Sequence, residues 1–284
     1  MNPIARSWLN PRCLGPAGIL AVAVGLFGCA PAGNETIVAR GSNTVGEELA
    51  PRLAAEFNKQ RPGVKFDFEF KATSYGFGAL MVGRCDIAAA SREMTKSEQA
   101  LAKDRSLEMN EYPIGYYSVA VVVNAGNPVG NLTKDQVRDI FTGIIQNWKE
   151  VGGPDTAIKL CVRDPISGAH LGFKEVAMEN KSYPENLRAY TNHAAIVQAV
   201  AAEPNAIGYV SVETVGAQGI KSISIGGVAP TRASVQKGEY PYSRLLRLYT
   251  DKARESETAK AFIDFIQSEQ GQKLVDDMGY VPKS

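Results

Sequence analysis

Three times in this chain a short β-forming run passes into a turn rich in Ser, Thr or Gly, and the turn opens a helical pattern. The turns are Gly41-Ser42-Asn43-Thr44-Val45-Gly46-Glu47, Ala72-Thr73-Ser74-Tyr75-Gly76 and Ser167-Gly168-Ala169-His170. Alternation of short strands with amphipathic helices restricts the chain to α/β architecture. The turns also carry a chemical implication. A helix start exposes unpaired N–H groups at the positive end of the helix dipole, which suits an oxyanion. One Ser or Thr before a helix is ordinarily an N-cap; three such turns together with matching charges suggest a site. Thr44 and Glu47 have the spacing of a capping box. Arg163, four residues before Ser167, closes a strand and offers a forked donor set, or else a surface ion pair. Asp86 stands where the buried run Ile87-Ala88-Ala89 begins, as a ligand group, a cap or a partner of Arg92.

Periodicity gives the rest of the framework. Thr36 to Ala39, Val64 to Phe70, Asp86 to Ala89, Tyr116 to Val123, Ala157 to Val162, Ile207 to Val210 and Arg244 to Tyr249 read as strands. Glu47 to Asn58 puts Leu49, Leu53, Ala54 and Phe57 on one helical face. Gly76 to Val82, Lys96 to Lys103, Asp135 to Phe141, Phe173 to Met178 and Ala194 to Ala202 are further helices. Ala259 to Met278 reads as one long terminal helix with Gly271 as a weak point. The apolar run before Ala125-Gly126-Asn127-Pro128 and the late strand at Arg244 predict two chain crossings between two lobes. The first lobe then comprises residues 36–122 and 226–284, and the second residues 123–225. A cleft between lobes is where a ligand binds. No internal repeat stands out.

Charge and composition exclude several classes. The 31 Lys+Arg nearly balance 30 Asp+Glu, without the basic excess of a nucleic-acid binder. Two histidines in all, and no CxxC spacing, argue against a transition-metal site, and no cofactor is expected. Ser167 and His170 sit on one helix turn rather than as nucleophile and base, no Walker or dinucleotide fingerprint occurs, and so no enzyme is expected.

The amino-terminal segment reads as an export signal. Arg6 and Arg12 precede the apolar run Leu14 to Phe27, and Leu26-Phe27-Gly28-Cys29 is similar to a bacterial lipobox. Leu14 to Phe27 is short for a membrane span, which needs about 20 apolar residues. Residues 1–28 are thus expected to be a lipoprotein signal peptide, Cys29 the lipidated residue and 29–35 a tether, with the protein exported and held to a membrane by lipid. Cys85 and Cys161 then remain, expected as two buried thiols.

Several segments together resemble the phosphate-binding proteins of Pst-type ABC transporters. They are Gly41 to Val45, Gly76-Phe77-Gly78-Ala79-Leu80, Asp86 to Met94, Arg163-x-x-x-Ser167-Gly168, Leu132 to Gly143, Asn147 to Asp155 and Ala261 to Gln272. The resemblance covers nearly all of residues 36–282. It implies a two-lobed periplasmic-binding-protein fold of type II: two α/β domains joined by two crossing strands, with the ligand cleft between them. The ligand it implies is inorganic phosphate or a closely related oxyanion, and the partner an ABC transporter permease; a monomer is expected. From the first lobe it implies Ser42, Asn43, Thr44, Thr73, Ser74 and Asp86 as ligand residues. From the second it implies Arg163, Ser167, Gly168 and Ala169. Asp86 would accept a hydrogen bond from a protonated phosphate oxygen and so reject sulfate. Ala169 replaces the family's usual threonine, and Pro165 its usual acidic residue. An oxyanion-sensing or interaction module of the same fold, without transport, is the alternative.

Overall fold

The computed structural model describes residues 36–185 and 187–283; the expected signal peptide, the expected lipidation site Cys29 and the expected tether lie outside the described residues. The chain runs β1 (Thr36–Gly41), α1 (Asn43–Gly46), α2 (Leu49–Gln60), β2 (Lys65–Phe70), α3 (Thr73–Met81), β3 (Ile87–Ala90), α4 (Lys96–Asp104) and β4 (Met109–Asn124). It continues through β5 (Asn131–Leu132), α5 (Lys134–Phe141), β6 (Lys159–Arg163), α6 (Gly168–Ala177), β7 (Arg188–Tyr190), α7 (His193–Ala202) and β8 (Ala206–Ser211). It ends with β9 (Ile220–Ser222), β10 (Ser224–Ile225), α8 (Arg232–Gln236), β11 (Ser243–Asp251), α9 (Glu257–Gln267) and α10 (Glu269–Asp277).

One long strand organises the rest. β4 pairs antiparallel with β11 through Ser118, then with β8 from Val119 onward, and its last residues also pair with β9. The strand therefore leaves one lobe and enters the other at Ser118/Val119, ahead of the expected boundary at 122/123. On the first side the order is β2-β1-β3-β11, with β1, β2 and β3 parallel. On the second it is β8-β6-β7, again all parallel. Each lobe thus repeats one topology: a central strand, a strand on one flank, then a strand on the other. The repeat is topological, and no sequence repeat marks it.

Each lobe carries its own aromatic packing. Phe57 of α2 meets Phe262 and Phe265 of α9 with ring centroids 5.3 and 5.6 Å apart. In the second lobe Phe173 of α6 stacks on Tyr209 of β8 at 4.0 Å, and Phe141 of α5 meets Phe173 edge-on at 4.7 Å. β3 is buried along its whole length, as a central parallel strand should be.

Two expectations need correction. The terminal helix is broken at Ser268, whose extended backbone ends α9 and whose hydroxyl accepts from the Gly271 amide at 3.2 Å to cap α10. Gly271 is required there, because a Cβ would stand 2.2 Å from the Phe265 carbonyl oxygen. The Thr44–Glu47 capping box is not formed either. Thr44 lies inside α1, which starts after Ser42, and its hydroxyl points elsewhere.

Candidate functional site

In open α/β sheets ligands collect beyond the carboxyl ends of parallel strands. Each lobe has a pocket at that end. β1 ends at Gly41 and passes through Ser42 into α1, β2 leads to Thr73 at the start of α3, and β3 leads to Ser91. Ser42, Asn43, Thr44, Thr73, Ser74 and Ser91 all line one pocket of about 350 Å³. Lys71, Arg92 and Lys174 bring three cationic side chains to it, Lys71 paired with Glu69 at 2.6 Å and Arg92 with Glu98 at 2.7 Å, and Glu175 is the carboxylate among the lining residues. The Thr73 hydroxyl accepts from the Ser91 amide at 3.1 Å, so the second and third turns are fastened together.

Lobe two closes this pocket with α6, from which Leu171, Lys174 and Glu175 face it. Thr44 Oγ1 donates to Glu175 Oε2 at 3.3 Å, and Ser91 Oγ donates to Glu175 Oε1 at 3.4 Å. A carboxylate of the second lobe thus occupies two hydroxyl donors of the first.

The second lobe's own strand ends face a second pocket, of about 300 Å³. Arg163 ends β6, His193 begins α7 just after β7, and Ser211 ends β8; all three line it, with Ala169, Asn192 and Ser118. Arg163 is held by its backbone: its amide donates to Tyr209 Oη at 3.1 Å, and its carbonyl oxygen lies 2.9 Å from His170 Nδ1. Burial pulls the His170 pKa below its ordinary value. The Ser167 hydroxyl caps α6 by accepting from the His170 amide at 3.1 Å, and it donates to the Asp164 carbonyl at 2.9 Å.

The first turns of α1 and α6 meet between the two pockets. The position a Gly168 Cβ would take is 3.5 Å from Glu47 Oε2 and 3.9 Å from the Glu48 carboxyl carbon. Burial, with Glu48's charge beside it, pushes the Glu47 pKa up to about 7.

The structure therefore distributes the sequence-predicted residues as follows. Ser42, Asn43, Thr44, Thr73 and Ser74 gather at the first pocket, while Arg163 and Ala169 lie at the second. Ser167 and Gly168 line neither and sit at the α1–α6 contact. Asp86 is the clear correction. It precedes β3, accepting from the Val38 amide at 2.8 Å and donating its own amide to the Val38 carbonyl at 2.8 Å. β3 runs toward the pocket, so Asp86 is left roughly 16 Å behind Ser91 at about 3.3 Å of rise per residue. Its proposed pairing with Arg92 also fails, since Arg92 is bound to Glu98 at 2.7 Å. Ser91, Arg92, Lys174, Glu175 and His193 were missed. Ser91 was legible as the residue that follows a buried strand; Glu175 depends on how two lobes meet.

Cys85 and Cys161 are both buried and, among the described residues, unbridged, and burial pushes the Cys85 thiol up to about 12. Among the described residues, no cluster of His, Cys, Asp and Glu has metal-ligand placement, and no helix is long and apolar enough to cross a membrane.

The model of the PBP superfamily domain matches residues 30–270. The chain belongs to the PBP superfamily. Within it, the crystal structure of a possible phosphate binding protein from Planctomyces limnophilus is 31% identical, with a TM-score of 0.81 over 88% of this chain and 93% of that one. An ABC-type phosphate transport receptor from Vibrio cholerae is 28% identical at a TM-score of 0.70, covering 87% of this chain and 99% of the other. The phosphate-binding protein PstS of Borreliella burgdorferi is 25% identical over 270 residues, 90% of this chain and 93% of that protein. The fold is accordingly the two-lobed, type II arrangement of that superfamily, with the cleft between its lobes.

Proposed function

We propose that this protein is a receptor for inorganic phosphate, or a closely related oxyanion, and delivers it to an ABC transporter permease. One observation carries the reading. The loop ends of three parallel strands bring hydroxyl groups, helix-start amides and the cations Lys71 and Arg92 to one pocket, and α6 of the second lobe adds Lys174 to it at the cleft. Such a set stabilises a small multivalent anion through charge-assisted hydrogen bonds. The likeness to proteins named for phosphate binding and phosphate transport supports the choice of anion.

In this reading the ligand-binding residues of the first lobe are Ser42, Asn43, Thr44, Thr73, Ser74 and Ser91. Those of the second are Arg163 and the α6 start at Ser167, Gly168 and Ala169. The lobes turn about β4 at Ser118/Val119 and about the segment leading into β11, and the anion stabilises the arrangement in which both sets reach it. The protein acts by binding and release, without covalent chemistry. It is exported and tethered through a lipid on Cys29, and works as a monomer.

Calorimetric titration of the purified protein with phosphate and with sulfate tests the proposal. One phosphate per chain, bound much more tightly than sulfate, is the expected outcome. Absence of heat with every oxyanion tried would favour an interaction module of the same fold.

A further inference from the structure

Burying a hydrogen-bonding group without a partner is costly, so a native fold keeps few such groups. Three of them line the second pocket. Arg163 Nε, His193 Nε2 and Ser118 Oγ are each buried with no hydrogen-bond partner among the described residues. Ser118 as a residue is only 3% exposed.

All three are donors. Arg163 has no acceptor atom on its guanidinium. His193 is settled by its other nitrogen: the Ser211 amide donates to Nδ1 at 3.2 Å, so the neutral ring carries its proton on Nε2. Burial, with the charge of Arg163 beside it, holds the His193 pKa down to about 4 and keeps the ring neutral at ordinary pH. Ser118 Oγ has a hydroxyl proton to give.

Position in the fold points the same way. His193 is the first residue of α7, after β7, as Thr73 is the first residue of α3, after β2. The lobes share one strand order, so His193 occupies in lobe two the place that Thr73 holds in lobe one. The Asn192 side chain caps α7 by accepting from the Ala195 amide at 2.8 Å, and Ala169 brings the first turn of α6 to the same pocket.

We propose that His193 and Ser118 are ligand-binding donors, which with Arg163 form the second lobe's half of the anion site. The ligand class this half-site takes is an acceptor-rich tetrahedral oxyanion, whose oxygens can accept from all three donors and whose charge is met by Arg163. The inference rests on the receptor reading and adds two residues to it.

The test uses phosphate titration and thermal melting of the full chain. Ser118→Ala removes an unpartnered hydroxyl and breaks no hydrogen bond. His193→Asn retains an oxygen that can accept from the Ser211 amide but removes the ring N–H, and His193→Gln places an amide N–H near the Nε2 position. Ser118→Ala and His193→Asn should each weaken phosphate binding about tenfold or more. His193→Gln should recover part of the loss. The melting temperature of ligand-free Ser118→Ala should equal or exceed that of wild type, because a desolvated, unpaired donor has been removed. A purely structural serine would instead lower the melting temperature and leave affinity alone. Wild-type affinity in both Ser118→Ala and His193→Asn overturns the inference while the receptor reading stands. A wild-type protein that binds no oxyanion overturns both.

Discussion

Arg163 has its backbone fixed on both sides, by Tyr209 and by His170, while its Nε stays without a hydrogen-bond partner among the described residues. Such an arrangement aims a side chain without satisfying it. Arg163→Ala should weaken phosphate binding about 100-fold, the loss expected for a desolvated, charge-assisted contact. Near-normal affinity in that variant would remove Arg163 from the site. Asp86 shows the opposite pattern, because its carboxylate is consumed by the Val38 amide. Asp86→Ala should lower stability by about 1 kcal/mol or more, while the phosphate-to-sulfate affinity ratio stays that of wild type. A changed ratio would return Asp86 to the anion site. The sequence could present both residues as candidates but could not separate them. A charge beside a buried run looks the same at either end of a strand, and only strand direction decides which end meets the cleft. His193 was unreadable for a related reason: its value lies in one orphaned nitrogen, and that depends on the amide of Ser211, eighteen residues away.

At the scale of elements, the strand-turn-helix units were legible because each announces itself locally, by apolar runs and by capping residues. Thr133 and Gln136 illustrate this: they cap α5 reciprocally, with bonds of 2.8 and 3.1 Å. The break between α9 and α10 was hidden, since the apolar spacing continues through Ser268, whose extended backbone makes the break, and Gly271 leaves room for the Phe265 carbonyl beside it. α6 carries the contact least accessible from sequence. Its Glu175 takes two donors that the anion would use, Thr44 and Ser91. Glu175→Gln keeps the size and removes the charge, so phosphate should bind about three- to tenfold more tightly if the carboxylate competes with it. Weaker binding in that variant would show that Glu175 assists the ligand instead.

Across the whole molecule, two copies of one strand order face their carboxyl ends toward a shared cleft, and β4 ties them together. Two partly buried ionisable groups at this junction respond oppositely to pH. Glu47, raised to about 7, favours the fold when protonated, so its contribution is lost as pH rises from about 4.5 through 7. His193, lowered from 6.5 to about 4, binds its proton more readily in the unfolded chain, so stability falls as pH drops through that interval. Arg163, Glu48, Tyr117 and Tyr280 are the other ionisable groups lining its pocket. Because the two trends oppose, the clean measurement compares wild type with His193→Asn. The variant should gain about 3 kcal/mol relative to wild type between pH 7 and pH 4, at about 1.4 kcal/mol per unit. A pH-independent difference would mean that the ring is not held neutral.

The central claim is that strand ends from both lobes meet a single anion, and a crystal structure of the protein grown with arsenate tests it most directly. Arsenate has the shape and charge of phosphate, and arsenic can be located by its anomalous scattering. One arsenic per chain, with its oxygens within hydrogen-bond reach of Arg163 and of the Thr73 or Ser91 hydroxyl together, is the predicted result. An arsenic held by one lobe alone, or lying away from both strand ends, would contradict the account.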